Sequence, residues 1–229
     1  MDISCTVESP DALVAASVRR GAHVSPVWIQ SRWEEGEFAT YIQKNGCGHC
    51  CVAMAARLLG ASGVTPYTEY EHCRALFGPP DKARDEGHFL SPRGVALSLC
   101  GLGLRAEVHP YAGGRQAILA GIMAALCEGR LVVFLSFPDR PGNRFSTGAH
   151  YVLLYGIDAE GRIMVANSST RAVTDTLGLQ AVTEGELLDA IPEATSVIGE
   201  GDTWGREHGF RQNAGYVTVS AMNEENGYV

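Results

Sequence analysis

Residues 45–60 read NGCGHCCVAMAARLLG, which places three cysteines and a histidine within five positions at the start of a predicted helix. From Gly48 to Leu59 almost every residue is apolar and favours a helix, and Gly60 supplies a C-terminal stop. A run that is apolar on every face predicts a helix that is buried nearly all round. The cysteines at its start allow three interpretations: a redox pair, part of a metal site, or one nucleophilic thiol with inert neighbours.

The composition of the chain argues for one globular domain, residues 1–229, with neither a nucleic-acid nor a membrane partner. A chain of 229 residues with 45% hydrophobic residues can build a substantial core. The net charge of −8 and the lack of any run of Lys or Arg remove the electrostatic basis for nucleic-acid binding. The first 20 residues carry Asp2, Glu8 and Asp11 where a signal peptide needs a basic start and an unbroken apolar stretch, and no segment is long and apolar enough to cross a bilayer.

The seven cysteines indicate a reducing compartment, so we expect a cytoplasmic protein. Their number is odd, and most lie in apolar, helix-like segments rather than at the loop positions of a disulfide framework. For Cys51, Cys100 and Cys127 the simplest interpretation is a small buried hydrophobic residue. Cys47 is different because it follows Asn45-Gly46 at the mouth of the helix.

The order of predicted elements favours an α+β fold. After an irregular lead-in over 22–46, further helices are predicted over 69–76, 91–100 and 114–128. Strands are predicted from β-branched and aromatic content, over 103–111, 131–137, 150–157, 162–166 and 214–222. Helices come first and most strands follow, which is typical of α+β rather than doubly wound α/β proteins.

The two strands on either side of DAEG, residues 158–161, predict an antiparallel hairpin. If Ile157 pairs with Arg162, then Val152 faces Asn167, and His150 is the diagonal neighbour of Asn167. Side chains two positions apart share a face, so His150 and Asn167 should point the same way with Cβ atoms within roughly 7–8 Å. A bulge in the hairpin would change this register.

The redox interpretation starts from Cys47-Gly48-His49-Cys50, which is the motif of protein disulfide isomerases. A helix N-terminus lowers a thiol pKa, and a partner three residues on lies one turn away. A thioredoxin-like fold, however, needs a buried parallel strand directly before the motif. The preceding segment, TYIQKNG at 40–46, is short, polar and ends in glycine.

A metal site would use Cys47 and Cys50 as one pair of ligands and His72 and Cys73 as the other. Adjacent residues on a helix cannot easily chelate one ion, because their side chains point in different directions. We therefore predict neither a metal nor another cofactor.

The third interpretation needs one thiol, a histidine base and a group that orients the histidine. Among the seven histidines, only His150 has such a group, Asn167, predicted on its own strand face. His49 cannot readily serve Cys47, because residues two apart on a helix point apart. The remaining histidines, which have no comparable companion, are His23, His72, His88, His109 and His208.

The same residues resemble a known family. GCGHCCVAMAARLLG (46–60) is similar to the "GCGP-small-small-x-AM-x-x-x-LG" start of papain-like cysteine peptidases of the bacterial branch that processes bacteriocin leaders at a double glycine. GAHYVLLYGIDAEGRIMVANSS (148–169) resembles that branch's "GHYVVVxGxDxxGxVxVxDP" hairpin. HFLSPRGVALSLCGLGLRAEV (88–108) and ILAGIMAALCEGRLVVFLSF (118–137) resemble its middle. The likeness covers about residues 24–170, and 171–229 would be a C-terminal extension of the same domain.

The resemblance implies a papain-like α+β domain, with a mainly helical half that begins at the nucleophile helix and packs on an antiparallel sheet half. Carried over by position, Cys47 is the nucleophile, His150 the base and Asn167 the orienting residue, where the branch usually has Asp. VWIQSRW resembles the lead-in that holds the oxyanion glutamine, which indicates Gln30 rather than Gln43. His49 and Ser168 depart from the branch, which mostly has Pro at both places.

The expected function is therefore a thiol-dependent hydrolase that cleaves a peptide or a small amide through an acyl-enzyme thioester. The same groups also run amidase and acyl-transfer reactions, so these stay open with the substrate and the oligomeric state. One alternative is a catalytically inactive papain-like module that binds peptides. A weaker alternative is a thiol-disulfide oxidoreductase that uses Cys47 and Cys50.

Overall fold

A computed structural model describes residues 3–7, 14–34, 36, 39–78, 91–137, 144–146, 149–169, 178–192 and 214–222. These residues form an α+β protein with two antiparallel sheets and helices packed between and around them. The predicted α+β class is confirmed. Within the described part of the chain, no helix is both long and apolar enough to cross a membrane.

The smaller sheet is formed by the amino-terminal part of the chain. Its strands β1 (Ile3–Val7), β2 (Val14–Arg20) and β3 (His23–Trp28) are antiparallel and lie in the order β1-β2-β3. A 3₁₀ helix (Gln30–Arg32) and helix α1 (Ala39–Asn45) follow.

The prediction of an irregular lead-in over 22–46 is therefore wrong. This segment contains Pro26, and proline is unusual in a strand because it cannot donate a ladder hydrogen bond. In the structure Pro26 lies in β3, which pairs with β2 alone in this sheet, and such an edge strand is where proline is tolerated.

The larger sheet has six strands, and all neighbouring strands are antiparallel. The strands are β4 (Leu104–Pro110), β5 (Leu131–Ser136), β6 (His150–Ile157), β7 (Ile163–Ala166), β8 (Leu179–Val182) and β9 (Gly215–Ala221). Their order is β4-β9-β5-β6-β7-β8. All five predicted strands are present. The carboxyl-terminal strand β9 lies between β4 and β5 and completes the sheet.

Helices α2 (Cys47–Leu58), α3 (Pro66–Phe77), α4 (Pro92–Gly101) and α5 (Arg115–Cys127) confirm the four predicted helices. Thr65 caps α3 in a capping box with Thr68, and Ser91 caps α4. Helix α6 (Glu184–Ala190) and β8 were not predicted. The α6 start has a capping box of Thr183 and Glu186, which is a readable helix signal.

Helix α2 lies at the centre of the fold. It packs on β3 of the smaller sheet, on β6 of the larger sheet, and on α3 and α4. All of its residues are buried except Cys47 and Arg57, which are intermediate, so the predicted burial on nearly all faces is confirmed. Its many small residues let the neighbouring elements approach closely, and the apolar side chains of both sheets join it in one core.

The β6–β7 hairpin contains a bulge that the sequence did not reveal. Ile157 pairs with Ile163 rather than with Arg162, because Arg162 belongs to the turn and donates its N–H to the carboxylate of Asp158 at 2.8 Å. The register shifts between Leu154 and Gly156, which absorbs the extra residue. Beyond the bulge, Leu153 pairs with Ala166, which restores the predicted register next to Asn167.

The cysteines are only partly as expected. Six are described, and all six are free. Cys51 is buried, as predicted, but Cys100 and Cys127 are exposed, so their interpretation as buried small residues is wrong. Each lies near the C-terminal end of a helix whose other face is the apolar one.

Candidate active site

The ring of His150 and the side chain of Asn167 meet in a buried hydrogen bond. His150 is the first residue of β6, and Asn167 follows the last residue of β7. His150 Nε2 and Asn167 Oδ1 are 2.8 Å apart, and the two residues are 3% and 0% exposed. The structure thus brings together the histidine and the amide that the predicted hairpin register placed on one face of the sheet.

The hydrogen bonds of Asn167 determine which ring nitrogen of His150 carries the proton. Asn167 Nδ2 donates to the carbonyl of Phe145 at 2.9 Å, and Oδ1 accepts the N–H of Ser169 at 2.9 Å. Its amide orientation is therefore fixed by both neighbours. Since Oδ1 can only accept, Nε2 of His150 must be the donor, and the basic lone pair of the neutral ring is on Nδ1.

The carbonyl of Phe145 also gives a reason for Asn rather than Asp at position 167. An asparagine both accepts from His150 and donates to Phe145, whereas a carboxylate only accepts. Aspartate would place an oxygen against the Phe145 carbonyl in a fully buried position, which leaves that contact repulsive.

Cys47 is the first residue of α2, and its position depends on Gly46. The N–H of Gly46 donates to the carbonyl of Ile42 at 2.8 Å, which joins the end of α1 to the start of α2. A Cβ at position 46 would overlap that carbonyl oxygen, so the tight junction requires glycine. The backbone N–H of Tyr151 lies close enough to the Cys47 sulfur to act on its pKa. The Cys47 thiol therefore lies near the backbone of Tyr151, the residue that follows His150 at the start of β6.

Burial governs the ionisation of both groups. It raises the pKa of the Cys47 thiol, and the backbone N–H groups of Tyr151, Gly48 and Cys47 itself counteract this only in part. Burial lowers the pKa of His150 to about 4, against a smaller opposite effect of the hydrogen bond to Asn167. Both directions favour the uncharged forms, a Cys47 thiol and a neutral His150 imidazole. Our expectation that the helix N-terminus alone partly activates Cys47 is not supported.

Gln30 lies beside the end of β7. Its backbone N–H donates to the carbonyl of Ser168 at 3.0 Å, and its Oε1 accepts from the Ser168 hydroxyl at 3.3 Å. Its amide nitrogen makes a long contact of 3.3 Å with the carbonyl of Gln43. The amide of Gln43 instead donates to the carbonyl of Trp33 at 2.7 Å, which holds α1 against the 3₁₀ helix. Gln30 therefore contacts Ser168, the residue directly after Asn167, whereas the Gln43 side chain contacts Trp33.

The two alternative sets of residues are arranged less favourably. Helix α1 directly precedes Cys47, so the parallel strand of a thioredoxin-like fold is absent from this position, which the structure describes. The metal interpretation needs His72 and Cys73 to face one ion. The Cys73 thiol instead donates a hydrogen bond to Glu69, while the ring of His72 lies against Gly101 of α4. His72 and Cys73 therefore point to different neighbours, as expected for adjacent helical residues.

Sequence reasoning missed Phe145 and Ser169, and it noted Ser168 without predicting its contacts. Phe145 and Ser169 fix the amide of Asn167, and Ser168 links Gln30 to Cys50 of helix α2. The polar pair Ser168-Ser169 directly after Asn167 was a usable signal, because buried hydroxyls at a strand end must find partners. Phe145 contributes only its backbone carbonyl, which no side-chain pattern reveals.

No protein-family model matches this chain, and a search of curated proteins gives no match.

Proposed function

We propose that this protein is a thiol-dependent hydrolase of papain-like architecture that cleaves a peptide or amide bond with Cys47, His150 and Asn167. The observation that carries the proposal is the buried bond between His150 Nε2 and Asn167 Oδ1 at 2.8 Å. That bond leaves Nδ1 as the basic nitrogen at the start of β6, where the amide of Tyr151 meets the Cys47 sulfur. The motif resemblance over residues 24–170 supports the papain-like assignment.

In the proposed reaction, His150 Nδ1 takes the proton of the Cys47 thiol as the sulfur attacks the substrate carbonyl carbon. The oxyanion is stabilised by the backbone N–H of Cys47 and by the side-chain amide of Gln30. His150 then gives the proton to the leaving amine, and a thioester remains on Cys47. A water molecule, deprotonated by His150, hydrolyses the thioester and restores the thiol.

The favoured neutral pair has a consequence for this mechanism. Because burial raises the pKa of Cys47 and lowers that of His150, the proton moves during attack rather than before it. The same two pKa shifts also favour the second candidate function, an inactive module that binds peptides and whose Cys47 thiol stays protonated. A reducing, cytoplasmic compartment fits either function, because the six described cysteines are free.

A substrate-like electrophile separates the two functions. We would treat the wild type with a peptidyl vinyl sulfone and follow adduct formation by intact mass, beside the variants Cys47→Ala, Cys50→Ala and His150→Ala. An active site predicts one adduct on Cys47, which is kept in Cys50→Ala and lost in Cys47→Ala. His150→Ala should slow the reaction roughly 10²-fold or more, because a positioned base contributes about that much.

The exposed thiols provide the internal control. If the adduct forms mainly on Cys100 and Cys127, or if His150→Ala reacts as fast as the wild type, the hydrolase proposal fails and the binding module remains. The redox alternative replaces both the hydrolase and the binding module if the wild type interconverts dithiol and disulfide in a thiol-exchange assay and Cys50→Ala loses all function. If the adduct forms on Cys47 as expected, the product released from model substrates separates two activities. A peptidase releases a peptide amine, and an amidase releases ammonia.

A further inference from the structure

A second cluster of chemically active side chains lies between α2 and α3. His49 of α2 contacts Oε2 of Glu69 on α3 through its Nδ1. The Cys73 thiol donates to the other carboxylate oxygen, Oε1, at 2.9 Å. One ligand atom from each of the three residues lies within 4.8 Å of the others. The three residues are 2%, 1% and 3% exposed, in the same order.

Neighbouring elements hold these three side chains in place. Glu69 and Cys73 are four residues apart on α3, so they lie on one face of the helix. The ring of His49 lies near those of Tyr41 and Tyr70, with centroid distances of 6.0 and 5.5 Å. Each of the three side chains therefore has a defined position in the fold.

The donor set has the chemistry of a transition-metal site. Imidazole nitrogen, thiolate sulfur and carboxylate oxygen are the three ligand types that zinc takes in proteins. With a neutral imidazole, a thiolate and a carboxylate carry two negative charges, which a divalent cation neutralises in this buried place. The Glu69 carboxylate already contacts His49 and accepts a hydrogen bond from the Cys73 thiol, so a cation bound there would take the place of the thiol proton.

We propose that His49, Glu69 and Cys73 bind one divalent ion of the zinc class, which ties α2 to α3. On binding, the thiol proton of Cys73 passes to solvent, and Nδ1 of His49 becomes a ligand with the ring proton on Nε2. Ser98 of α4 stays outside the ligand set and holds Glu69 Oε1 by a hydrogen bond of 2.7 Å. The inference does not depend on the proposed hydrolase activity, although His49 is only two residues from Cys47.

Metal content of the full chain tests the site. The tag-free protein is purified from zinc-containing medium, desalted and measured by inductively coupled plasma mass spectrometry, and cobalt is introduced by growth in cobalt medium. We expect about one metal ion per chain and a thiolate-to-cobalt charge-transfer band in the near ultraviolet. The metal content per chain of Cys73→Ser and of Glu69→Gln should be lower than that of the wild type by roughly tenfold or more, because each substitution removes a ligand.

Matched substitutions on exposed positions control for general effects. Cys100→Ser and Glu71→Gln change the same residue types on α4 and α3 and should keep the wild-type metal content. Metal-free wild type with no cobalt band would overturn the proposal. So would a metal content that falls in Cys47→Ala or Cys50→Ala but not in Cys73→Ser.

A measurement on the wild type keeps the test decisive if the ligand variants do not fold. Zinc-edge X-ray absorption should show one sulfur neighbour at about 2.3 Å and lighter nitrogen or oxygen neighbours at about 2.0–2.1 Å. Two sulfur neighbours would assign the metal to a cysteine pair such as Cys47 and Cys50 and would refute the site proposed here.

Discussion

His150 is a residue whose burial ties the stability of the protein to pH. In the folded protein its pKa is lowered to about 4, whereas an unfolded chain binds the proton near pH 6.5. Between these values the unfolded state is protonated and the folded state is not, so protons favour unfolding. Stability linked to His150 is complete above about pH 6.5 and decreases as the pH falls toward 4, by on the order of 3 kcal/mol.

We predict that His150→Gln removes this part of the pH dependence. Urea unfolding measured from pH 7 to pH 4 should show a smaller loss of the unfolding free energy in the variant than in the wild type. His23→Gln, which removes a histidine from an exposed position, should follow the wild type. Parallel curves for wild type and His150→Gln would show that His150 is not buried as a neutral ring.

At the scale of elements, the α1–α2 junction fixes where helix α2 begins. A Cβ at Gly46 would overlap the carbonyl of Ile42, which belongs to the backbone of α1 and cannot rotate away. Gly46→Ala should therefore destabilise the protein by about 1–3 kcal/mol, as overpacking of a core does.

The control for this prediction is Gly63→Ala. A Cβ added at position 63 would have no atom within 4 Å, and the backbone there has no positive φ, so alanine should cost nothing or stabilise the protein slightly. Both variants are compared by chemical denaturation. Equal stability of the two would mean that the junction is looser than the contact with Ile42 indicates.

The elements that sequence reasoning found are those with strong local signals. Helix α2 is apolar throughout, and β5 and β6 are continuous apolar strands, so their composition alone reveals them. Helix α1 and β3 lack such signals, because Pro26 interrupts the strand and the contacts that stabilise α1 come from the 3₁₀ helix and α2. The His150–Asn167 bond was predictable because two-residue alternation fixes the shared strand face.

The rest of the site depends on contacts that are distant in sequence. Gln30 reaches Ser168 across 138 positions, and a buried carbonyl at Phe145 decides the amide orientation of Asn167. The expected lowering of the Cys47 pKa was also wrong in direction, because the helix N-terminus is a local property whereas burial depends on the whole fold. The periodicity of the sequence reports neither contacts between distant segments nor the burial of a single side chain.

At the scale of the whole molecule, the larger sheet depends on its last strand. Strand β9 pairs with β4 on one side and β5 on the other, and Tyr216, Val217 and Val219 bury their side chains there. Losing three such buried side chains costs roughly 5–9 kcal/mol. This is comparable with the entire stability of a typical domain, roughly 5–15 kcal/mol.

We therefore predict that a chain ending at Asn213 has no cooperative urea transition, whereas a chain ending at Met222, which keeps β9, unfolds cooperatively like the wild type. Circular dichroism during urea titration compares the two truncations. A cooperative transition in the shorter chain would show that β4 and β5 can close the sheet without β9.

The position of β9 also affects how the protein folds as it leaves the ribosome. Strand β5 pairs with β6 on one side and with β9 on the other. Strand β5 ends at Ser136 and β9 begins at Gly215, so roughly 80 residues separate these two strands. At typical synthesis rates of 5–20 residues per second, the β5 edge of the nascent chain waits on the order of 4–16 s for that partner. An apolar strand with an open edge is a template for pairing with other chains. Slower translation of residues 137–214 would lengthen that interval and increase the demand for chaperones that shield nascent chains.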